Sequence, residues 1–190
     1  WSYSGGGYSI MEKVVEDVSG MPLEAYFEQH IAGPLGMTRS RFEQPLPDQL
    51  HTNASSGHSR RGKVIAGGWR NYPEQAAAGL WTTPADLAKY CIEVYEIYNG
   101  KTNGILQPTT IELMLTEEMG HWGLGPELGN SSQQNKVFKH NGSNEGFKTQ
   151  FIAFADSGNA VVILTNGEKG YSLVLEILMG LEAYYGWDLL

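Results

Sequence analysis

The sequence is poor in basic residues and in cysteine. It has 13 Lys and Arg residues against 21 Asp and Glu residues, which gives a formal net charge of −8, and its longest basic run is Arg60-Arg61. This charge argues against a polyanionic partner, so we predict no nucleic-acid binding. The single cysteine, Cys91, excludes an internal disulfide. It falls on the apolar stripe of a predicted helix, which favours a buried, unreactive thiol over a reactive one.

Long apolar runs are also absent. No stretch approaches the length of a membrane-spanning helix, and no signal peptide is recognisable. The chain opens with Trp1 in the middle of a glycine-rich motif, so we expect a fragment or a processed product of a longer protein. With 190 residues, of which 41% are hydrophobic, it can bury roughly two-thirds of its unfolded surface. It should therefore be globular, with one sizeable core or two small ones.

Histidines occur without the spacing of a metal site. His51 and His58 lie in residues 38–78, a stretch rich in Ser, Gly, Pro and charge that shows no sustained periodicity. Their separation fits none of the usual metal-ligand spacings, and no cysteine accompanies them. We interpret the stretch as a long surface excursion with solvated histidines, and we predict neither a metal nor a cofactor.

Helical signals dominate the first part of the chain. Gly5-Gly6-Gly7 leads into an apolar helical face that ends at Gly20. Later, Thr83 is a good N-cap and is followed by Pro84 at the first helical position. Further helices should begin near Pro22 and Pro108. The apolar face of the first helix comprises Tyr8, Met11, Val14, Val15 and Val18.

Strand signals dominate the last part. Val137-Phe138 indicates one strand, the alternating residues 148–155 a second, and residues 160–164 a third, all antiparallel. Residues 122–125 should be extended and precede a polar loop. A last helix, over about 171–184, should lie against the sheet. The order predicts an α+β fold, with an antiparallel sheet flanked by helices and a mostly helical subdomain.

Two side chains stand out chemically. His140 ends the first predicted strand, and the sequence that follows it, through Gly146, offers several unhindered backbone amides. Glycine there permits a ligand to approach the backbone closely. Taken alone, His140 is a strand-end histidine bonded to a carbonyl, and Tyr3 is a packing aromatic beside a flexible loop.

Three stretches in register change that interpretation: residues 3–8, 79–87 and 140–147, the last with the hairpin that ends at Asn166-Gly167. Together they resemble the serine β-lactamase and penicillin-binding-protein family, in its class C-like branch of β-lactamases, D-alanyl carboxypeptidases, D-aminopeptidases and esterases. The resemblance implies catalysis in a cleft between two units. It assigns residues 1–118 to a mostly helical subdomain and 119–190 to the strands and C-terminal helix.

The resemblance also implies roles for individual residues. Tyr3-Ser4-Gly5 matches the family's Tyr-x-Asn motif, and His140-Asn141-Gly142 its Lys-Thr-Gly motif. In the implied acyl transfer, Tyr3 is the base and later the acid, and His140 stands where the family places a cation. The amide of Ser143 would form half of the oxyanion hole. The implied substrate-binding positions are Gly5, Asn141, Gly142 and Asn144.

The sequence departs from the family in three ways. It contains neither Ser-x-x-Lys nor a Gly-x-Ser-x-Gly elbow, so we expect no turnover from these residues alone. The nucleophile would come from a missing N-terminal part of the same protein. That part, or a second copy of the chain, would pair with an open edge of the sheet. Gly5 replaces Asn and His140 replaces Lys, which favours an esterase or D-aminopeptidase over a β-lactamase.

Two functions remain open at this level. In the first, the chain is the C-terminal portion of a serine hydrolase that cleaves a small or peptidic ester or amide through an acyl-enzyme. In the second, it is a non-catalytic module that binds peptidoglycan or a protein partner. For either, the family implies a periplasmic or other extracytoplasmic location.

Overall fold

The computed structural model describes residues 2–102 and 104–189. Trp1, which belongs to the predicted glycine-rich loop, and Leu190, which belongs to the predicted second unit, lie outside the described residues. Helices precede a four-stranded antiparallel sheet, and one long helix follows it, which confirms the predicted α+β class. The α-helices are α1 Gly5–Ser19, α2 Leu23–Phe27, α3 Gly33–Leu35, α4 Gln75–Ala78, α5 Pro84–Tyr98, α6 Pro108–Met114 and α7 Gly170–Tyr185. The strands are β1 Glu127–Asn130, β2 Lys136–Asn144, β3 Phe147–Phe154 and β4 Ala160–Thr165.

Local sequence signals set these helix ends, of which Gly20 and Thr83 were predicted. The Ser4 hydroxyl caps α1 by accepting a hydrogen bond from the Gly7 amide at 3.1 Å, and Gly20 ends the helix with a φ of 70°. The Thr83 hydroxyl caps α5 by accepting from the Asp86 amide at 3.2 Å. One feature was not predicted: a π-helical turn, Glu28–Ala32, joins α2 to α3.

The sheet has the order β1-β2-β3-β4, with each strand antiparallel to its neighbours. The three predicted antiparallel strands are confirmed, but the prediction that His140 ends the first of them is wrong, because pairing with β3 extends β2 to Asn144. Strand β1 was missed because it lies in the stretch predicted as a polar loop. The prediction that residues 122–125 are extended is wrong beyond Trp122. Trp122 forms isolated bridges to Met119 and Glu127, and Gly125, with a φ of 118°, turns the chain before β1.

Both faces of the sheet are covered. One face packs against α5 and α6, and the other packs against α7. Cys91 of α5 is 2% exposed, and burial raises the pKa of its thiol to about 12, so the prediction of a buried, unreactive cysteine is confirmed. Because Cys91 packs in one cluster with Phe138, this core crosses residue 118, and the division of the chain there stays a prediction.

Residues 38–78 form more than a surface excursion. They include a 3₁₀-helix, Asp48–Asn53, and the buried side chains of Ser40, Leu46 and Ile65. Their two histidines each contact a backbone carbonyl oxygen: His51 Nε2 lies 2.9 Å from that of Leu46, and His58 Nδ1 lies 2.9 Å from that of Asn166. The stretch therefore packs across the end of the sheet where β2 turns into β3.

Candidate active site

A cleft of about 1290 Å³ opens at that end of the sheet. It contains the N-terminal residues Tyr3 and Gly5 on one side and the second half of β2 on another. Residues within 38–55 and 69–87 and parts of β3 and β4 supply the remaining walls. The three stretches that resembled the family motifs therefore line one cavity.

Strand alternation decides which β2 side chains face this cleft. Phe138 packs with α5, whereas its neighbour Val137 packs on the α7 side. Because the β2–β3 register continues without a bulge, His140 and Asn144 share the face of Phe138. Asn141 and Ser143 place their side chains on the other face. Any contact that these two make with a substrate in the cleft must therefore come from their backbone.

The backbone of Ser143 is available for such a contact. Only two residues separate the paired Asn144 and Phe147, so these form a hydrogen-bonded pair, and Ser143 with Lys148 forms the next, non-hydrogen-bonded pair. The N–H of Ser143 consequently points away from β3. On that side β1 pairs with β2 only as far as Lys139, so the edge of β2 beyond it is not covered by a described strand.

Tyr3 and His140 meet at the mouth of the cleft, although 137 positions separate them in sequence. His140 Nδ1 lies 2.6 Å from the carbonyl oxygen of Asn141, which can only accept, so Nδ1 carries a proton. In the neutral imidazole, Nε2 is then the acceptor, and the Tyr3 hydroxyl lies 3.4 Å from it. Proton exchange between the two side chains is therefore geometrically accessible.

The predicted substrate-binding residues differ in what they contribute. A Cβ on Gly142 would lie 2.3 Å from Thr149 Oγ1, so a larger residue here requires the Thr149 side chain to move. A Cβ on Gly5 would meet only Ala77, at an ordinary 3.8 Å. The Asn144 amide donates to the Ala78 carbonyl at 3.0 Å, which ties the end of β2 to the opposite wall of the cleft.

Trp122 packs against both Tyr3 and His140. Its ring centroid lies 5.5 Å from that of Tyr3 and 5.4 Å from that of His140. An aromatic wall formed by Trp69 and Trp81, with centroids 5.3 Å apart, lines the cleft. The sequence left Trp81 and Trp122 open between core and cleft, and it did not predict the pairing of Trp81 with Trp69. No local sequence signal marks it, because residues 12 positions apart meet only once the chain is folded.

Most charged side chains that line the cleft are basic, and two of these form ion pairs with glutamates. Arg70 Nε lies 2.7 Å from Glu145 Oε2, and this hydrogen bond holds the pKa of the Glu145 carboxyl below its ordinary value. Arg41 is similarly paired with Glu43 at 3.0 Å. Within residues 2–102 and 104–189, no three His, Cys, Asp or Glu side chains are grouped to hold a metal ion.

With the cleft defined, comparison with known proteins is informative. A family model described as Beta-lactamase matches residues 1–181. The chain belongs to the Beta-lactamase family. This confirms the family expectation drawn from the three stretches in register.

Individual members of the Beta-lactamase family support the same placement. A protein of Escherichia coli O157:H7 that bears the name of a D-alanyl-D-alanine carboxypeptidase is 24% identical over 203 residues, which cover 92% of this chain and 46% of that protein. The D-amino acid amidase of Ochrobactrum anthropi SV3 matches 96% of this chain and 61% of its own, with a TM-score of 0.71 and 19% identity. The octameric penicillin-binding protein homologue of Pyrococcus abyssi matches 93% of this chain and 43% of its own, with a TM-score of 0.69 and 23% identity.

The two solved structures are less than 25% identical to this chain, so their similarity shows a shared fold. The chain spans less than half the length of the curated relatives it matches. In the part of the chain that the structure describes, none of the helices combines the length and the apolar character needed to cross a membrane.

Proposed function

We propose that this chain supplies the proton-transfer half of an acyl-transfer site in a serine hydrolase that acts on an ester or an amide. The observation that carries the proposal is the meeting of the Tyr3 hydroxyl and His140 Nε2 beside the open edge of β2 that presents the Ser143 amide. A base, a group that stabilises it and an oxyanion donor are thereby adjacent in one cleft.

In the proposed reaction, the Tyr3 hydroxyl passes its proton to His140 Nε2, and the resulting phenolate takes the proton of an attacking serine hydroxyl while the serine oxygen bonds to the substrate carbonyl carbon. The negative charge that develops on the carbonyl oxygen is stabilised by the N–H of Ser143. Tyr3 then returns the proton to the leaving group, and a water molecule hydrolyses the acyl-enzyme by the same steps. His140 assists because, when protonated, it places a positive charge beside the Tyr3 oxygen and favours its ionised form.

The serine itself must come from outside these 190 residues, since the sequence contains no Ser-x-x-Lys. We propose that a segment carrying this motif docks beside α1 and adds strands to the sheet. Two features support this. The apolar residues Met11, Val14 and Val18 of α1 remain exposed, and β4 has a described neighbour on one side only. A second copy of the chain on the β4 edge is the competing occupant, and its mark would be a concentration-dependent dimer.

The substrate class follows from the cleft and from the relatives. The relatives include proteins named for D-alanyl carboxypeptidase and D-amino acid amidase, and we propose an amide or ester of this kind here. His140 stands where a lysine would bind a substrate carboxylate, and the replacement of an ammonium group by an imidazole favours an uncharged substrate end. An extracytoplasmic location agrees with relatives named as penicillin-binding proteins.

The experiment measures acylation by a fluorophosphonate probe in the longest natural product that contains this chain. We expect Tyr3→Phe to slow labelling by about 10² to 10⁴, the usual contribution of a positioned base. Tyr8→Phe is the matched control, because it removes another hydroxyl from the same cleft.

The outcomes separate the candidate functions. Equal labelling of the Tyr3→Phe protein and the unsubstituted protein would remove Tyr3 from the mechanism. An unsubstituted protein that takes no label would favour the non-catalytic binding module.

A further inference from the structure

The peptide unit between Gly142 and Ser143 is held from the side opposite the cleft. The Tyr171 hydroxyl, in the first turn of α7, donates a hydrogen bond of 3.0 Å to the carbonyl oxygen of Gly142. In a trans peptide the C=O and the following N–H point in opposite directions. The Gly142 oxygen also faces Thr149 in the next hydrogen-bonded pair of the ladder, so Tyr171 is a second donor that reinforces the direction of the Ser143 N–H at the far edge of β2.

This hydrogen bond also changes the strength of the amide as a donor. Hydrogen bonds in a chain polarise one another, by roughly 10–30% per bond. When Tyr171 donates to the Gly142 oxygen, electron density moves toward that oxygen and the Ser143 N–H becomes more acidic. Burial raises the pKa of the Tyr171 hydroxyl, which keeps this group protonated and able to donate.

The adjacent turn is held by an ion pair between the buried Lys148 and the partly buried Glu168. Lys148, 8% exposed, places Nζ 2.9 Å from Glu168 Oε2 and 3.1 Å from the Asn144 carbonyl oxygen. The second carboxylate oxygen of Glu168 accepts from the Gly146 amide at 2.7 Å. Behind the turn there is no free space, since a Cβ on Gly146 would lie 2.8 Å from the Cα of Gly57.

We propose that Tyr171 is a positioning residue that orients and polarises the Ser143 amide for oxyanion binding. The proposal rests on the proposed function for its catalytic meaning, but the positioning itself is a property of this chain. Lys148 and Glu168 hold the neighbouring turn, and the Tyr171 hydroxyl adds a contact on the peptide unit itself. Tyr171 touches no reacting atom and acts only through the backbone.

The first test needs no activity. In this chain, the amide resonance of Ser143 is measured by ¹H–¹⁵N NMR in the unsubstituted protein, in Tyr171→Phe and in Tyr184→Phe. Tyr184 lies on the same helix with its side chain exposed, which makes it the matched control. We expect Tyr171→Phe to shift the Ser143 amide upfield and to leave the melting temperature nearly unchanged. An unmoved Ser143 resonance, or an equal shift in Tyr184→Phe, would overturn the positioning role.

The second test uses the acylation-competent product. Tyr171→Phe should lower kcat by about three- to tenfold with little change in KM, short of the roughly 100-fold cost of removing a whole oxyanion-hole donor. An unchanged kcat, or a change in KM alone, would contradict the catalytic meaning of the contact.

Failure of the proposed function gives a different pattern. An unsubstituted product that cannot be acylated, together with a shifted Ser143 resonance in Tyr171→Phe, would refute the hydrolase while the positioning contact stands.

Discussion

Helices α1 and α5 make an instructive pair. Each has 15 residues, each is capped by a hydroxyl that accepts a backbone hydrogen bond, and each carries an apolar stripe in its sequence. In α5 the stripe is buried, and Ile97 is 0% exposed. In α1 no residue is buried, and Val14 and Val18 are 53% and 83% exposed. The periodicity of a sequence thus predicts the helix, whereas burial of its face depends on which partner is present.

The largest effect should come from removing a stripe residue of α5. Ile97→Ala leaves a cavity in the core between α5 and the sheet, and we expect it to lower the free energy of unfolding by about 3 kcal/mol. The matched change in α1, Val14→Ala, should cost less than about 0.5 kcal/mol. Urea denaturation of the two variants measures both losses in the free energy of unfolding. Equal losses would mean that the α1 stripe is covered in solution.

The start of α5 offers an intermediate effect. Asp86 is buried and accepts hydrogen bonds from the Arg39 amide at 2.8 Å, the Ser40 hydroxyl at 3.0 Å and Lys89 Nζ at 3.0 Å. Burial alone would raise the pKa of the Asp86 carboxyl, but these hydrogen bonds outweigh it and the pKa is lowered. Asp86→Asn should therefore cost about 2 kcal/mol at neutral pH, because donors to a charged acceptor lose their partner.

The pH dependence of stability tests the same group. A carboxyl whose folded pKa is depressed contributes fully above its unfolded pKa, near 4 for Asp, and loses that contribution as the pH falls through the lower folded value. Unfolding free energies measured from pH 6 downward should fall less steeply below about pH 4 for Asp86→Asn than for the unsubstituted chain. Parallel curves would show that Asp86 does not contribute through its charge.

Local chemistry explains what the sequence could predict. Ser4, Gly20 and Thr83 set helix ends through contacts within a few residues, so these ends were predictable. Strand β1 was not predictable, because its residues Gly129 and Asn130 disfavour strands. The segment forms a strand through its pairing with β2. The pairing of β1 with β2 is a tertiary contact and has no signal in the local sequence. The same holds for whatever packs against α1.

The candidate site divides in the same way. Tyr3 and His140 could be brought together only through motifs in register, since neither has a local signal for the other. The contact between Tyr171 and Gly142 depends on where α7 crosses the sheet, and no pattern in residues 171–184 indicates it. The aromatic wall of Trp69 and Trp81 was missed for the same reason.

The smallest effect on the chain itself is expected on the exposed face of α1. Val18→Lys should change the free energy of unfolding by less than about 0.5 kcal/mol, because the side chain stays in water. In the longer product, we expect it to reduce fluorophosphonate labelling at least about tenfold, because a docked segment would bury an unpaired charge. Val64→Lys, at an exposed valine away from α1, is the control. Full labelling of the Val18→Lys product would place the docking surface elsewhere.

The most direct test of the central claim is the site of covalent modification. The longest natural product containing this chain is treated with a fluorophosphonate, and the adduct is located by intact mass and peptide mapping. The account predicts one adduct, on the serine of a Ser-x-x-Lys motif outside residues 1–190, and none on this chain alone. An adduct on a serine within these residues, or no adduct on the longer product, would contradict it.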